Sequence, residues 1–544
     1  MTPQMTSRAP ASIRVLVCDE LDPIAIQELH ARGIEPLVRT GMTEDELIEA
    51  LPGVHALLVR SATKVTARVL KAAKDLELVG RAGVGVDNVD VPVATSQGVV
   101  VMNTPTGNTV TTAELAISLM CSLARHIPAG HRKVRGGAWS KKGLMGMEIT
   151  GKTMGVIGLG RIGAEVARRG QGLCMKVIAH DPYLAATGAA SPVAGVDLMG
   201  LEELLKQADV VTLHVPLMES TRNLIGAEQI AMMKPGSRII NAARGGLVDE
   251  AALIEALDSG QLAGAAFDVL AEEPPGPDHP LVNRDDVIVT PHLGASSKEA
   301  QVNVAVQVAQ QTATFFLDGV AQNAINLPAL TTAERRALGP WSLLAKSMGR
   351  FLAQRTEQPI SKIEFSVLGS AQQLSQEHLE RALLCGVLQQ ALAKGVNLVN
   401  APLLASERGI RVLRGESGDA SKFGGLLRAR VSSKGGTESH MVAGTVFGEM
   451  LRFVRVDGAN VDLDPSGSML ITRHHDRPGV VGAIGTTLGA AKINIKRVEL
   501  GPASSASEGL ASAFLSLYDR PADDILHAIA GLDPVVSAHL VELG

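Results

Sequence analysis

Two successive series of short apolar runs, each run followed by a helical pattern, most constrain how this chain can fold. In the first, IRVLVCD, ALLVR, LELVG and VVMN alternate with PIAIQELHARG and KVTARVLKAAKDL between Ile13 and Asn103. In the second, TMGVIGL, KVIAHD, DVVTLHV, SRIINAA, GAAFDVL and DVIVTPH are separated by segments such as LEELLKQA and DEAALIEALDSG. That rhythm specifies βαβ units and parallel sheets, and near-continuous apolar strands specify sheets covered on both faces. The expected fold class is therefore α/β, with two doubly wound parallel-sheet domains.

At 544 residues the chain is too long for one hydrophobic core. Its final third differs in character. From Thr331 to Asp464 two helical patterns are joined by alternating strands such as GLLRARVSS and MLRFVRVDG, which predicts an α+β domain. From Gly467 the order strand, helix, strand, strand, helix, strand predicts a βαββαβ ferredoxin-like module.

The stretch VIGLGRIGAEVARRGQGLCMKVIAHD places Gly158, Gly160 and Gly163 at GxGxxG spacing between a strand and a helix. The first glycine permits the tight turn, the second a close approach to a pyrophosphate, and the third close packing of helix on strand. Asp181, 18 residues past Gly163, ends the next strand, where a carboxylate accepts from adenosine ribose hydroxyls and repels a 2′-phosphate. The expected cofactor is NAD. A tight strand-helix turn with no ligand is the plain alternative, made less favourable by the strand, helix and distal acid together.

Composition narrows the partners. Apolar residues at 46% and charged residues at 20% are the balance of a soluble globular protein. The net charge of −5 gives no bulk attraction for nucleic acid or an anionic membrane, so an anionic substrate needs a local cluster of Arg or Lys. No run of about 18 apolar residues is present, so no membrane span is expected and the cytoplasm is the default compartment. Cys18, Cys121, Cys174 and Cys385 lack paired spacing, and neither a disulfide nor a metal site is expected.

Three residues at or beyond later strand ends carry the chemistry: Arg244 in NAARGGLVDE, Glu273 in DVLAEEPP and His292 in VTPHLGAS. Oxidation of an alcohol needs a base for the hydroxyl proton, and histidine titrates near neutral pH. A neighbouring carboxylate fixes the imidazole tautomer, and arginine grips a substrate carboxylate with two parallel hydrogen bonds. Taken singly, each has a structural reading: a core histidine, a loop charge, a turn cap. Together, behind a glycine fingerprint, they describe a 2-hydroxy-acid dehydrogenase.

GLGRIG, NAARGGLVDE, AFDVLAEEPP and PHLGAS closely resemble the D-isomer-specific 2-hydroxyacid dehydrogenases, from about Ile13 to Pro328. LLVRSATKVT, VGRAGVGVDNVDV, MNTPTGNTVTTAELA and the C-terminal extension resemble the long-form members of that family that act on 3-phosphoglycerate. The resemblance implies a substrate-binding domain formed by 1–104 and 298–330 around an NAD-binding domain at 105–297, then an intervening domain at 331–466 and an ACT domain at 467–544. It implies that His292 is the acid/base, Glu273 its partner and Arg244 the substrate-orienting cation. Arg161, Ile162, Asp181, Ala242, Ala243, Arg244, Asp268, His292, Leu293, Gly294 and Ala295 match cofactor contacts of the family. Arg60 and Arg81, helped by Asn103, match its substrate-phosphate site, and a basic side chain from Trp139 to Lys142, where relatives carry arginine, reaches a neighbouring subunit.

ITRHHDRPGVVGAI followed by KINI resembles an ACT domain, a ligand-sensing module of amino-acid metabolism. Asp476 is placed to receive an amino group, and His474 and Asn494 match serine-binding positions, so L-serine is the expected effector. His474 and His475 are adjacent on a strand and face opposite sides. The module can instead serve only to pair subunits; a homo-oligomer, dimer or tetramer, is expected either way. Two other functions fit the same residues: a hydroxypyruvate or glyoxylate reductase, and a NAD-sensing binding protein.

Overall fold

The computed structural model describes residues 8–392, 395–415, 418, 420, 422–436, 438–501 and 509–543. The first sheet is parallel throughout, in the order Pro36–Val38, Val15–Val17, Ala56–Val59, Leu78–Arg81, Val100–Asn103. The second, also parallel, runs Val287–Val289, Leu262–Phe267, Ser237–Asn241, Val210–Leu213, Thr153–Ile157, Lys176–His180, Asp197–Leu198. Its order reverses beside Thr153–Ile157, which makes the carboxyl end of that strand the switch point where ligands bind in such sheets.

Both sheets are covered on both faces, as their unbroken apolar strands require: Ala56–Val59 and Val210–Leu213 are buried at every position. After the second sheet the chain returns to the first through the helix Lys298–Asp318, capped by the Ser297 hydroxyl accepting from the Ala300 amide. Val304, Val308 and Phe316 of this helix enter the first core, and Ile325 N–H donates to the Val101 carbonyl.

The helix Thr332–Arg355 opens on a capping box between Thr331 and Glu334 and continues through Pro340. It pairs with the helix Gln376–Ala391, and the two backbones touch where a Cβ on Gly349 would collide with the Leu383 carbonyl and one on Gly386 with the Lys346 carbonyl. Beneath them lies a mixed sheet in the order Arg411–Arg414, Ile360–Gly369, Gly425–Ser433, Ser439–Phe447, Met450–Val456, Ala459–Leu463. The last sheet is antiparallel, Ile495–Gly501, Leu510–Leu517, Ser468–His475, Val535–Glu542, with helices Val480–Ala490 and Asp523–Ala530, the ferredoxin-like arrangement.

The C-terminal module is not a free-standing appendage. Met469, Ile471, Phe514, Val541 and Leu543 belong to the same core as Phe351, Phe365 and Phe453 of the preceding unit. Among the described residues no helix is long and apolar enough to cross a membrane, and no group of His, Cys, Asp or Glu has metal-ligand spacing.

Candidate active site

The parallel sheets present their carboxyl ends to one cleft. From the second sheet, three neighbouring strands deliver Arg244, Glu273 and His292 on the loops that follow Ser237–Asn241, Leu262–Phe267 and Val287–Val289. The His292 ring nitrogen Nδ1 lies 2.8 Å from Glu273 Oε2. With Nδ1–H donating to the carboxylate, the Nε2 lone pair is left at the open side of a half-exposed ring. Glu273 is fixed in turn, since its Oε1 accepts from the Leu270 amide at 3.1 Å.

Asp268 organises the histidine loop. Its buried carboxylate accepts from Thr290 Oγ1 at 2.6 Å, the Leu293 amide at 2.7 Å and the Gly294 amide at 2.8 Å. Burial raises its carboxyl above the usual range while these donors pull it back. Leu293, Gly294 and Ala295 are therefore backbone of the loop that holds His292, clasped further by Thr112 Oγ1 on the Gly294 carbonyl and Gln301 Nε2 on the Ala295 carbonyl.

The Arg244 loop is shaped by Asn241, whose amide donates to the Arg244 carbonyl and whose Oδ1 accepts from the Ala243 amide. Gly245 is required there because a Cβ would collide with the Leu270 carbonyl. Arg244 Nε then lies 3.2 Å from Asp87 Oδ2, an ion pair that crosses from the second sheet to the first.

On the first sheet, Arg60, Arg81 and Asn103 follow or end neighbouring strands. The Arg81 guanidinium packs onto Gly83, and Arg244 packs onto Gly85 of the same loop. Burial, with the charges of Arg244 and Arg60, pushes Arg81 down to about 10, against the pull of Asp87 and Asp19. Its Nε is buried with no partner among the described residues. Asn103 reaches the same loop, its side-chain amide donating to the Val84 carbonyl. Sequence reasoning missed Asp19 and Asp87. Asp19 is a buried carboxylate at the end of a strand that accepts from the Arg60 amide at 2.5 Å and from Thr63. Nothing in the local pattern distinguishes it from a solvated loop acid.

The glycine loop is built to receive an anion. The helix Arg161–Gly172 begins with no side-chain cap, and a Cβ on Gly160 would meet nothing within 4 Å, whereas one on Gly163 would collide with the Gly158 carbonyl. Exposed Arg161 and half-buried Ile162 open this helix, and buried Ala242 follows the strand Ser237–Asn241, two places along the sheet. Asp181 Oδ2 accepts from the Leu159 amide at 2.9 Å, and its Oδ1 caps the next helix through the Tyr183 and Leu184 amides. Its carboxylate therefore ties the glycine loop to the following strand and keeps lone-pair capacity for a ribose hydroxyl.

In the last module, His474 and Asp476 share a groove with Pro478, Gly479 and Ala511. Burial lowers the His474 imidazole. Exposed Asn494 is not part of that groove; its carbonyl accepts from the Tyr518 amide. The Trp139–Lys142 segment lies at the surface, with Trp139 91% exposed.

A nucleotide-binding sheet whose carboxyl edge carries a carboxylate-oriented imidazole, opposite an arginine cluster, is the apparatus of a dehydrogenase acting on a hydroxy acid. The family model described as D-isomer specific 2-hydroxyacid dehydrogenase, NAD binding domain, matches residues 117–294, and the chain is an NAD-dependent dehydrogenase of this class. Residues 337–457 match the D-3-phosphoglycerate dehydrogenase intervening domain. The chain is 41% identical over 531 residues to the D-3-phosphoglycerate dehydrogenase of Archaeoglobus fulgidus, covering 98% of this chain and all of that one. The enzyme of the same name from Bacillus subtilis is 39% identical over 97% of this chain and 99% of its own. Among solved structures, the TT0316 protein of Thermus thermophilus is 35% identical with a TM-score of 0.52, covering 57% of this chain and all of its own. The chain belongs to the D-3-phosphoglycerate dehydrogenase family, in its long form.

Proposed function

We propose that this dehydrogenase oxidises 3-phosphoglycerate at C2 to 3-phosphohydroxypyruvate, the reaction that opens L-serine synthesis. The observation that carries the reading is the arginine cluster. Arg60, Arg81 and Arg244 bring three positive charges to one cleft, and Arg81 is buried with too little negative charge around it, so a multiply charged phospho-acid completes the site.

His292 Nε2 accepts the proton of the C2 hydroxyl, and the imidazolium that forms is stabilised by Glu273. Arg244 holds the substrate carboxylate and polarises the reacting oxygen, while Arg60 and Arg81 hold the phosphate. The amides after Gly160 would hold the pyrophosphate of NAD and Asp181 would receive its ribose hydroxyls, and the bound nicotinamide would supply the acceptor for the C2 hydride. The Asp181 carboxylate disfavours NADP.

The remaining readings follow from the whole chain. The groove at His474 and Asp476 supports L-serine as a feedback effector. The helix Ile127–Arg135 buries none of its residues within the chain, and Trp139 and Met145 beyond it are each 91% exposed, which supports a homo-oligomer, dimer or tetramer, with Lys141 or Lys142 reaching a neighbouring subunit. The four sheets support a substrate-binding domain at 1–104 and 298–330, an NAD-binding domain at 105–297, an intervening domain at 331–466 and an ACT domain at 467–544, and the proposed compartment is the cytoplasm.

Turnover with 3-phosphohydroxypyruvate and NADH, set against glyoxylate and hydroxypyruvate, tests the reading. A kcat/KM at least tenfold higher for the phosphorylated substrate is expected. Preference for an unphosphorylated acid would make the chain a different reductase of the family, and absence of NADH consumption would make it a NAD-sensing binding protein.

A further inference from the structure

We propose that the cavity between the first sheet domain and the helix pair Thr332–Arg355 and Gln376–Ala391 binds a small monocarboxylate with an apolar tail. This site lies away from the catalytic cleft and goes beyond the reaction assigned there. The cavity measures about 330 Å³, within the range of small-molecule sites. Val100 and Phe315 close it from the first sheet domain, Leu338 and Ala382 from the helix pair, and Val399 from the turn that follows.

One polar group in these apolar walls stands without a partner. Lys346 is a half-buried ammonium with no hydrogen bond or ion pair among the described residues, and burial followed by the charge of Arg350 lowers its pKa. Arg335, on the same wall, donates to the Asp318 carbonyl. Glu77 is the acid that borders the cavity, and its charge is answered by Arg8. His378 is held neutral, pushed down to about 4 by burial and by Arg381 and Arg335, with Ser342 Oγ 3.4 Å from its Nε2. The cavity therefore offers the Lys346 ammonium, with a hydroxyl and an imidazole nearby and no carboxylate bonded to that ammonium among the described residues. A lone carboxylate on an apolar body satisfies Lys346 and leaves no polar group to desolvate against Phe315 and Leu338. A phosphate would need more donors than the walls supply, and a neutral apolar molecule would leave the ammonium unanswered.

Isothermal titration of the full-length protein with 4-phenylbutyrate and with its neutral amide, 4-phenylbutanamide, tests this. The carboxylate is expected to bind saturably at one site per chain, at least tenfold more tightly than the amide. Lys346→Met should weaken the carboxylate tenfold or more and leave the amide unchanged. Gly339→Leu is the second variant: this helical glycine borders the cavity, and a Cβ there meets nothing within 4 Å, so the added side chain fills the site while the helix keeps its propensity. It should exclude both probes while NADH binding and thermal stability are retained. Equal affinity for acid and amide, unchanged carboxylate affinity in Lys346→Met, or no saturable binding at millimolar concentration would each overturn the proposal. Since the readout is binding and not turnover, it stands or falls apart from the assigned reaction.

Discussion

His292 adopts a φ of 55°, a left-handed backbone that costs a histidine about 1–3 kcal/mol. The Asp268 carbonyl and carboxylate hold it there by accepting from three successive amides, His292, Leu293 and Gly294. His292→Gln is expected to lower kcat by about 10²–10⁴ with NADH affinity unchanged, read by stopped-flow turnover and fluorescence titration. Retained turnover in a folded variant would remove the imidazole from the chemistry. Arg81 gives a prediction of opposite sign for function and stability. Its buried guanidinium lacks a full complement of partners, so Arg81→Met should raise the KM for the phospho-acid at least tenfold and leave the KM for NAD alone, while the melting temperature of the free protein holds or rises. A fall in melting temperature with unchanged KM would make Arg81 a structural residue.

Among the elements, the glycine loop separates two roles that share one motif. Gly163→Ala pushes a Cβ into the Gly158 carbonyl and should cost about 1–3 kcal/mol of stability as well as cofactor affinity. Gly160→Ala meets no protein atom, so it should weaken NADH binding and leave the urea midpoint alone. The buried histidines set the acid limit of the fold. His214, at the end of the strand Val210–Leu213, is pushed down to about 3 by burial, and His378 to about 4. The unfolded chain takes up these protons near pH 6.5 and the folded chain only below 4, so stability is full above 6.5 and falls as the pH drops through that window. Each contributes about 2 kcal/mol of loss at pH 5. His378→Gln should therefore flatten the decline between pH 7 and 5, measured by denaturant unfolding at each pH.

For the molecule as a whole, the shared C-terminal core decides which pieces stand alone. Removing residues 467–544 uncovers Phe351, Phe453 and Leu463, which pack in one cluster with Ile471 and Phe514. A chain ending at residue 466 should bind hydrophobic dyes and aggregate. A chain ending at residue 330 should remain soluble and bind NADH, because two solved chains are matched over 98% or more of their own length by 57% of this one. The last module has a second core of its own at Val480, Ile484 and Ile529, so a folded, monodisperse 1–466 fragment would show that the shared cluster is not needed by the preceding unit.

Periods of two and 3.6 in the apolar residues determined the strands, the helices and the α/β class, because these are local consequences of which side chains must leave water. Turn and cap chemistry was local too, so Gly158, Gly160, Gly163 and the loops around Arg244 and His292 could be read directly. The tertiary structure alone decided which charges meet. Asp87 finds Arg244 from the other sheet, Asp19 fixes the Arg60 turn, Asn103 donates to the Val84 carbonyl, and Asn494 lies outside the His474 groove. It also decided that Lys346 has no ion pair among the described residues, and that the last two units share a core. Partners brought together from distant parts of the chain carry no periodic signal, since their energy depends on burial and distance, and both exist only once the chain has folded.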